Sequence, residues 1–280
     1  MSKFPVLLGA IEIIASENDG ISITETGSGT NTATIAAGTY YLRGDGASGD
    51  FCAALKTALD NASASTNVYT VTVTTNGTTA SWDTNPANVS AKVRISTGGP
   101  DTFKINWLHA NTTFDETLLG FVAEKSSADA NPELSTKSPS SVWVSNEYHV
   151  DLTPGSEWMQ ESSMMRSGST SVVRRSDKAS ANTLYLQLVD GRRVNTSEST
   201  SDEAATLEEF IDNNNDGRPV EIHEQSLASS SVTTLSALSA ASTRRGSAWV
   251  LASGGGVSFL PTRSKLGLSL WDFSIELKGA

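Results

Sequence analysis

Leu268-Ser269-Leu270-Trp271-Asp272-Phe273-Ser274-Ile275-Glu276-Leu277 is the longest alternating run of the chain, and from Trp271 onward apolar and polar residues take strict turns. Successive side chains of a strand point to opposite faces, so the pattern predicts a strand with one buried face. Shorter β-type runs lie upstream of it: Val142-Trp143-Val144, Tyr148-His149-Val150, Ser171-Val172-Val173-Arg174-Arg175, Leu184-Tyr185-Leu186-Gln187-Leu188-Val189, Trp249-Val250-Leu251 and Val257-Ser258-Phe259-Leu260. One helical pattern interrupts them, near 202–213, capped by Ser201 or Asp202, carrying Ala205, Leu207, Phe210 and Ile211, and stopping at Asn213-Asn214-Asn215-Asp216-Gly217.

The first half repeats this plan. An apolar run from Val6 to Ile14, then Ile21, Ile23, Ala33-Thr34-Ile35 and Tyr40-Tyr41-Leu42, reads as strands around polar turns. The period then changes: Phe51, Leu55, Ala58 and Leu59 fall on one face of a helix near 50–61, with Asp50 or Ser48 as its N-cap. Val68-Tyr69-Thr70-Val71-Thr72-Val73-Thr74 alternates again, and Asn76-Gly77 signals a hairpin toward Ala80-Ser81-Trp82 and Ala91-Lys92-Val93-Arg94-Ile95. Phe103-Lys104-Ile105-Asn106-Trp107 is a further strand, followed by a short helical turn capped by Thr112 or Thr113, running through Glu116 and Leu118-Leu119 and closed by Gly120.

The fold class is therefore mainly β (α+β), with one principal helix on a sheet in each half and no residue-level repeat. Ser, Ala, Asp, Asn and Pro between the halves give a linker at 126–141, which divides the chain into an N-terminal β domain at 1–125 and a C-terminal β domain at 142–280.

At 280 residues a sizeable core needs no disulfide or metal support, and the single cysteine, Cys52, allows neither an intrachain disulfide nor a multi-cysteine zinc site. The net charge of −11 argues against a protein that grips nucleic acid by neutralising phosphates, but suits a surface that DNA slides past. The bland reading of that charge is solubility. The apolar run before Glu12 is too short for a secretory signal, and no stretch approaches a membrane span, so folding in a cytoplasm without a membrane anchor is expected.

Motifs of chemistry are weak. His109, His149 and His223 lie in no nucleophile-elbow, zinc-protease or phosphate-loop pattern, and strand packing or surface roles explain them. Asp212, Asn214, Asp216 and Gly217 match the first half of a calcium loop, but His223 stands where a closing glutamate belongs, and a helix stop explains the same residues. Arg43-Gly44-Asp45 spells an adhesion tripeptide, yet it sits between a strand and a helix, where turn chemistry predicts such residues. Arg174-Arg175, Arg192-Arg193 and Arg244-Arg245 suit ion pairs with a neighbouring subunit better than a phosphate patch, and Gly254-Gly255-Gly256 lacks the helix of a nucleotide loop. The expectation is no catalytic residue, no metal and no cofactor.

Gly38-Thr39-Tyr40-Tyr41-Leu42-Arg43-Gly44-Asp45-Gly46, continued by Phe51-Cys52-Ala53-Ala54-Leu55-Lys56-Thr57-Ala58-Leu59, resembles structural proteins of tailed bacteriophages, in which a strand, a Gly/Asp turn and an Ala/Leu-rich helix precede a strand pair. The likeness continues through Phe103-Lys104-Ile105-Asn106-Trp107 and Thr113-Phe114-Asp115-Glu116-Thr117-Leu118-Leu119-Gly120-Phe121. In the second half it covers only the outline, at Leu207-Glu208-Glu209-Phe210 and the closing run from Leu270 to Leu277. Phe51-Cys52 departs from it, where smaller or aliphatic residues are expected.

The resemblance implies β-sandwich or barrel units, each with a flanking helix, stacked in rings so that edge strands pair between subunits. It further implies a non-enzymatic virion protein assembled in the host cytoplasm, a tail tube, tail ring or distal-tail component. Its partners would be copies of itself in rings and other virion tail proteins, with DNA passing transiently and non-specifically. The alternative is a capsid decoration or host-receptor-binding virion module, which would display aromatic residues; Trp107, Trp143, Trp249 and Trp271 instead sit in strand-like runs that favour the core. A carbohydrate-cleaving enzyme would need a carboxylate pair from Asp45, Asp50, Asp115 and Glu116, and no motif singles one out.

Overall fold

The computed structural model describes residues 3–75, 91–98, 102–122, 131–136, 139–144, 150–156, 160–164, 170–174, 182–192, 210–214, 217–226, 242–244, 249–251, 258–262 and 270–279. Strands dominate these residues. In chain order they are β1 (Lys3–Gly9), β2 (Ile11–Ile13), β3 (Gly20–Glu25), β4 (Thr30–Thr34), β5 (Gly38–Tyr40), β6 (Tyr69–Thr75), β7 (Ala91–Thr97), β8 (Phe103–Ile105), β9 (Glu133–Leu134) and β10 (Val142–Val144). They continue as β11 (Val150–Ser156), β12 (Gln160–Met164), β13 (Thr170–Arg174), β14 (Asn182–Arg192), β15 (Val220–Ser226), β16 (Ser242–Arg244), β17 (Trp249–Leu251), β18 (Ser258–Thr262) and β19 (Leu270–Gly279). The helix α1 spans Phe51–Ala62, a 3₁₀ turn spans Glu116–Leu119, and residues 210–214 are helical. The described residues are thus mostly strands in several antiparallel sheets with few helices, the mainly β class that alternation predicts.

The largest sheet runs β10-β1-β15-β17-β19-β14-β11, with β16 beside β15 and β18 beside β19. Its strand β19 takes in the alternating residues from Leu270 to Leu277, with Leu277 opposite Leu184 and Ile275 opposite Leu186 on β14. β1 enters this sheet from the other end of the chain: Leu8 stands opposite Glu221 and Val6 opposite His223 on β15. Leu7 and Leu8 are both buried. Adjacent strand residues face opposite ways, so β1 is covered on both sides, which is why its sequence is a continuous apolar run rather than an alternating one.

The smaller sheets are β2-β5, β4-β3-β8, β6-β7-β9 and β12-β13. β9 lies within the expected linker and pairs with β7, Glu133 opposite Ile95. β6 and β7 pair over their full length, Tyr69 opposite Thr97, while Asn76-Gly77 and Ala80-Ser81-Trp82 lie outside the described residues.

Helix α1 packs against β4 and β6. Phe51, Leu55, Ala58 and Leu59 are buried together, as their spacing predicts, and each large apolar side chain so covered contributes on the order of 1.5–3 kcal/mol. Phe51 stacks on Phe114 at 5.4 Å and meets Tyr40 edge-on at 6.1 Å, so the large residue that opens the helix fills the space between α1 and its neighbours. Asp50 is the N-cap, its carboxylate accepting from the Cys52 amide.

The 3₁₀ turn differs from its sequence reading at its start. Asp115 caps it, accepting from the Thr117 amide, and Gly120 closes it at φ 76°. Thr112 and Thr113, the expected caps, instead turn their hydroxyls to β3, accepting from the amides of Ser22 and Gly20. Unpaired strand amides compete for a threonine hydroxyl as well as helix amides do.

Candidate functional site

Among the described residues, four places gather polar or aromatic side chains. The first is the turn between β5 and α1. Gly44 and Gly46 have φ of 69° and 71°, which lets their amides turn inward to the Asp50 carboxylate at 3.0 and 2.8 Å. Arg43 is thereby aimed at β15: its Nε donates to Glu221 Oε2 at 2.8 Å and its Nη2 to Oε1 at 2.6 Å, while Nη1 reaches the Ser48 carbonyl. The guanidinium also lies over the Tyr41 ring, 5.1 Å from its centroid. His223 Nε2 stands 3.2 Å from Glu221 Oε2, and the Glu221 side chain is fully buried. Its hydrogen bond to Glu221 holds Arg43 more firmly protonated than usual.

The second is Glu25, at the end of β3 and buried. Its carboxylate accepts from the Ser63 and Tyr69 hydroxyls, the Ala64 and Ser65 amides and the Asn67 side chain, at 2.6–3.1 Å. Burial pushes the carboxyl up, but the donors outweigh it and bring it from 4.5 to about 2. The charge is met by neutral dipoles that bind residues 63–69 onto β3.

The third is the Ser22–His109 pair, with Oγ 3.1 Å from Nδ1. The Asn111 amide also donates to Nδ1, so the ring accepts there and Ser22 is the donor. This has the form of a nucleophile and base, but Ser22 is fully buried and His109 has no carboxylate partner among the described residues. The contact fastens the 106–113 loop to β3.

The fourth is a cleft of about 380 Å3 between the segment after β8 and β9, lined by Ile105, Trp107, Phe121 and Leu134, with Glu133 and Thr136 among its polar residues. The Trp107 and Phe121 rings are 5.1 Å apart. Trp107 is a buried residue showing only 7% of its surface, as core packing predicts; Trp143 is buried at 1%.

The other sequence candidates resolve as follows. Of the carboxylates weighed for acid–base work, Asp45 is exposed and accepts from the Ala47 amide, Asp50 accepts from the Gly44 and Gly46 amides, and Asp115 accepts from Thr117. Arg43 of the adhesion tripeptide is turned into an ion pair. Asn214, in the calcium-loop pattern, is buried and donates to the Phe210 carbonyl, a helix-end contact. Among the described residues no group of three or more His, Cys, Asp or Glu is placed to hold a metal ion, and no helix is long and apolar enough to cross a membrane. His149, Arg175, Arg193, Arg245, Gly254-Gly255-Gly256 and most of the 202–213 helix lie outside the described residues.

The partners of Glu25 follow it by about forty residues, and Glu221 follows Arg43 by 178, so neither carboxylate contact leaves a local motif. No family model, curated protein or solved structure matches the chain.

Proposed function

We propose that this chain is a non-enzymatic virion structural protein, a tail tube or tail ring component that self-assembles around a channel for DNA. The observation that carries this reading is the sheet β10-β1-β15-β17-β19-β14-β11, whose end strands β10 and β11 each hydrogen-bond to a strand on one side only among the described residues, while β11 approaches β1 and β10 approaches β7. An exposed strand edge is a row of unmet amides and carbonyls that a neighbouring copy satisfies by adding its own strand. Closing such contacts around a rotation axis gives a ring. The net charge of −11 favours a lumen that releases DNA, since phosphates are not drawn to it. In this reading the sheets form sandwich or barrel units, and α1 on β4 and β6 is the flanking helix.

The alternative, a decoration or receptor-binding module, is favoured by one feature, the Trp107–Phe121 cleft, whose lining sets aromatic rings beside polar groups. Negative-stain electron microscopy with mass photometry over a range of concentration separates the two. Rings or tubes with a central channel support assembly; a compact monomer at every concentration overturns it in favour of the module.

A further inference from the structure

β1 does not by itself specify how it aligns on β15. Phe4-Pro5-Val6-Leu7-Leu8 is apolar at every position, so sliding it by two residues still fills three of its five places from within the run and leaves each side chain on its own face. The fold closes a circuit that forbids the slide. β1 leads through Ala10 into β2, where Ile11 stands opposite Tyr40 of β5. Just past Tyr40, Arg43 grips Glu221 with two hydrogen bonds, and Glu221 stands opposite Leu8 of β1. A slide of two residues moves the strand about 7 Å. That is further than contacts of 2.6 and 2.8 Å can follow, and it leaves two charges buried without each other.

A second point opposes the same motion. Gly9 lies against Asn214, where a β carbon would stand 2.2 Å from Oδ1, and the slide brings Leu7 or Ile11 to that place. We infer that the Arg43–Glu221 pair and the Gly9–Asn214 contact form a register lock, selecting one alignment of β1 on β15 from those its apolar sequence permits.

The lock is tested on the full chain by the interstrand backbone nuclear Overhauser effects between β1 and β15 in isotopically labelled protein. The unaltered chain shows one set, with residue 8 across from residue 221. The R43M/E221M/N214A variant replaces the ion pair with apolar side chains and removes the wall against Gly9. It is expected to keep its β content by circular dichroism and to show a second or displaced set of interstrand contacts. R43M/E221M, which retains Asn214, serves in its place should the triple variant not fold, and is expected to show the second set at a lower population. A single native set in the variant measured overturns the lock, and so does failure of both to fold, since the two contacts would then be required for stability rather than alignment.

Discussion

Gly9 and Asn214 approach so closely that a β carbon on residue 9 would stand 2.2 Å from Asn214 Oδ1. Asn214 is buried and held by its bond to the Phe210 carbonyl, so it does not swing aside freely. G9A is therefore expected to destabilise the protein by about 1–3 kcal/mol, the usual range for overpacking a filled site. Urea denaturation measures it. In N214A the same G9A change is expected to have a clearly smaller effect, because the two residues are directly coupled.

Glu25 gives the acid limb of stability a defined source. Its folded pKa of about 2 lies below the ordinary 4.5, so its contribution is fully present above about pH 4.5 and is lost as pH falls toward 2. E25Q keeps the shape but presents an amide to donors that need an acceptor, and a loss of about 2–3 kcal/mol at pH 7 is expected. The difference between E25Q and the unaltered protein should shrink as pH falls through that window. A difference that stays constant from pH 7 to 2.5 would mean that the carboxylate charge contributes nothing.

Arg43 and Glu221 should respond asymmetrically to truncation and to replacement. R43A leaves the buried Glu221 carboxylate without its guanidinium and is expected to cost about 3–5 kcal/mol, whereas R43M/E221M removes both charges and should be much less harmful. Thermal melts of the three proteins decide it. Equal losses in R43A and R43M/E221M would show that packing, not charge, dominates at this contact.

Cys52 offers a direct reading of opening around α1. It is buried, and burial, reinforced by the charges of Asp50 and Asp45, pushes its thiol up, so little thiolate forms. A thiol reagent at pH 8 should leave the folded protein unlabelled over hours and modify one cysteine per chain in denaturant. Rapid labelling of the folded chain would mean that the Phe51 end of the helix opens readily.

How far the sequence speaks depends on the range of the interactions. Helix α1 was legible because Asp50, Phe51, Leu55, Ala58 and Leu59 carry cap and stripe within one short segment. β19 was legible because alternation is a local property. Asp115 was passed over for Thr112 and Thr113 because all three side chains can cap a helix, and only the neighbouring strand β3 decides that the threonines are engaged elsewhere. Glu25 and Glu221 carry no local signal of their roles, because folding, not chain proximity, brings their partners to them.

The placement of β1 between β10 and β15 has a consequence for how the chain is made. β15 follows β1 by some two hundred residues, so at synthesis speeds of roughly 5–20 residues per second the apolar strand leaves the ribosome about ten to forty seconds before its partner exists. Until β10 emerges it has neither sheet partner, and until β15 emerges it has only one of the two. Crosslinking on stalled nascent chains is expected to find residues 4–8 accessible when the chain ends before residue 142 and protected once it extends past residue 226.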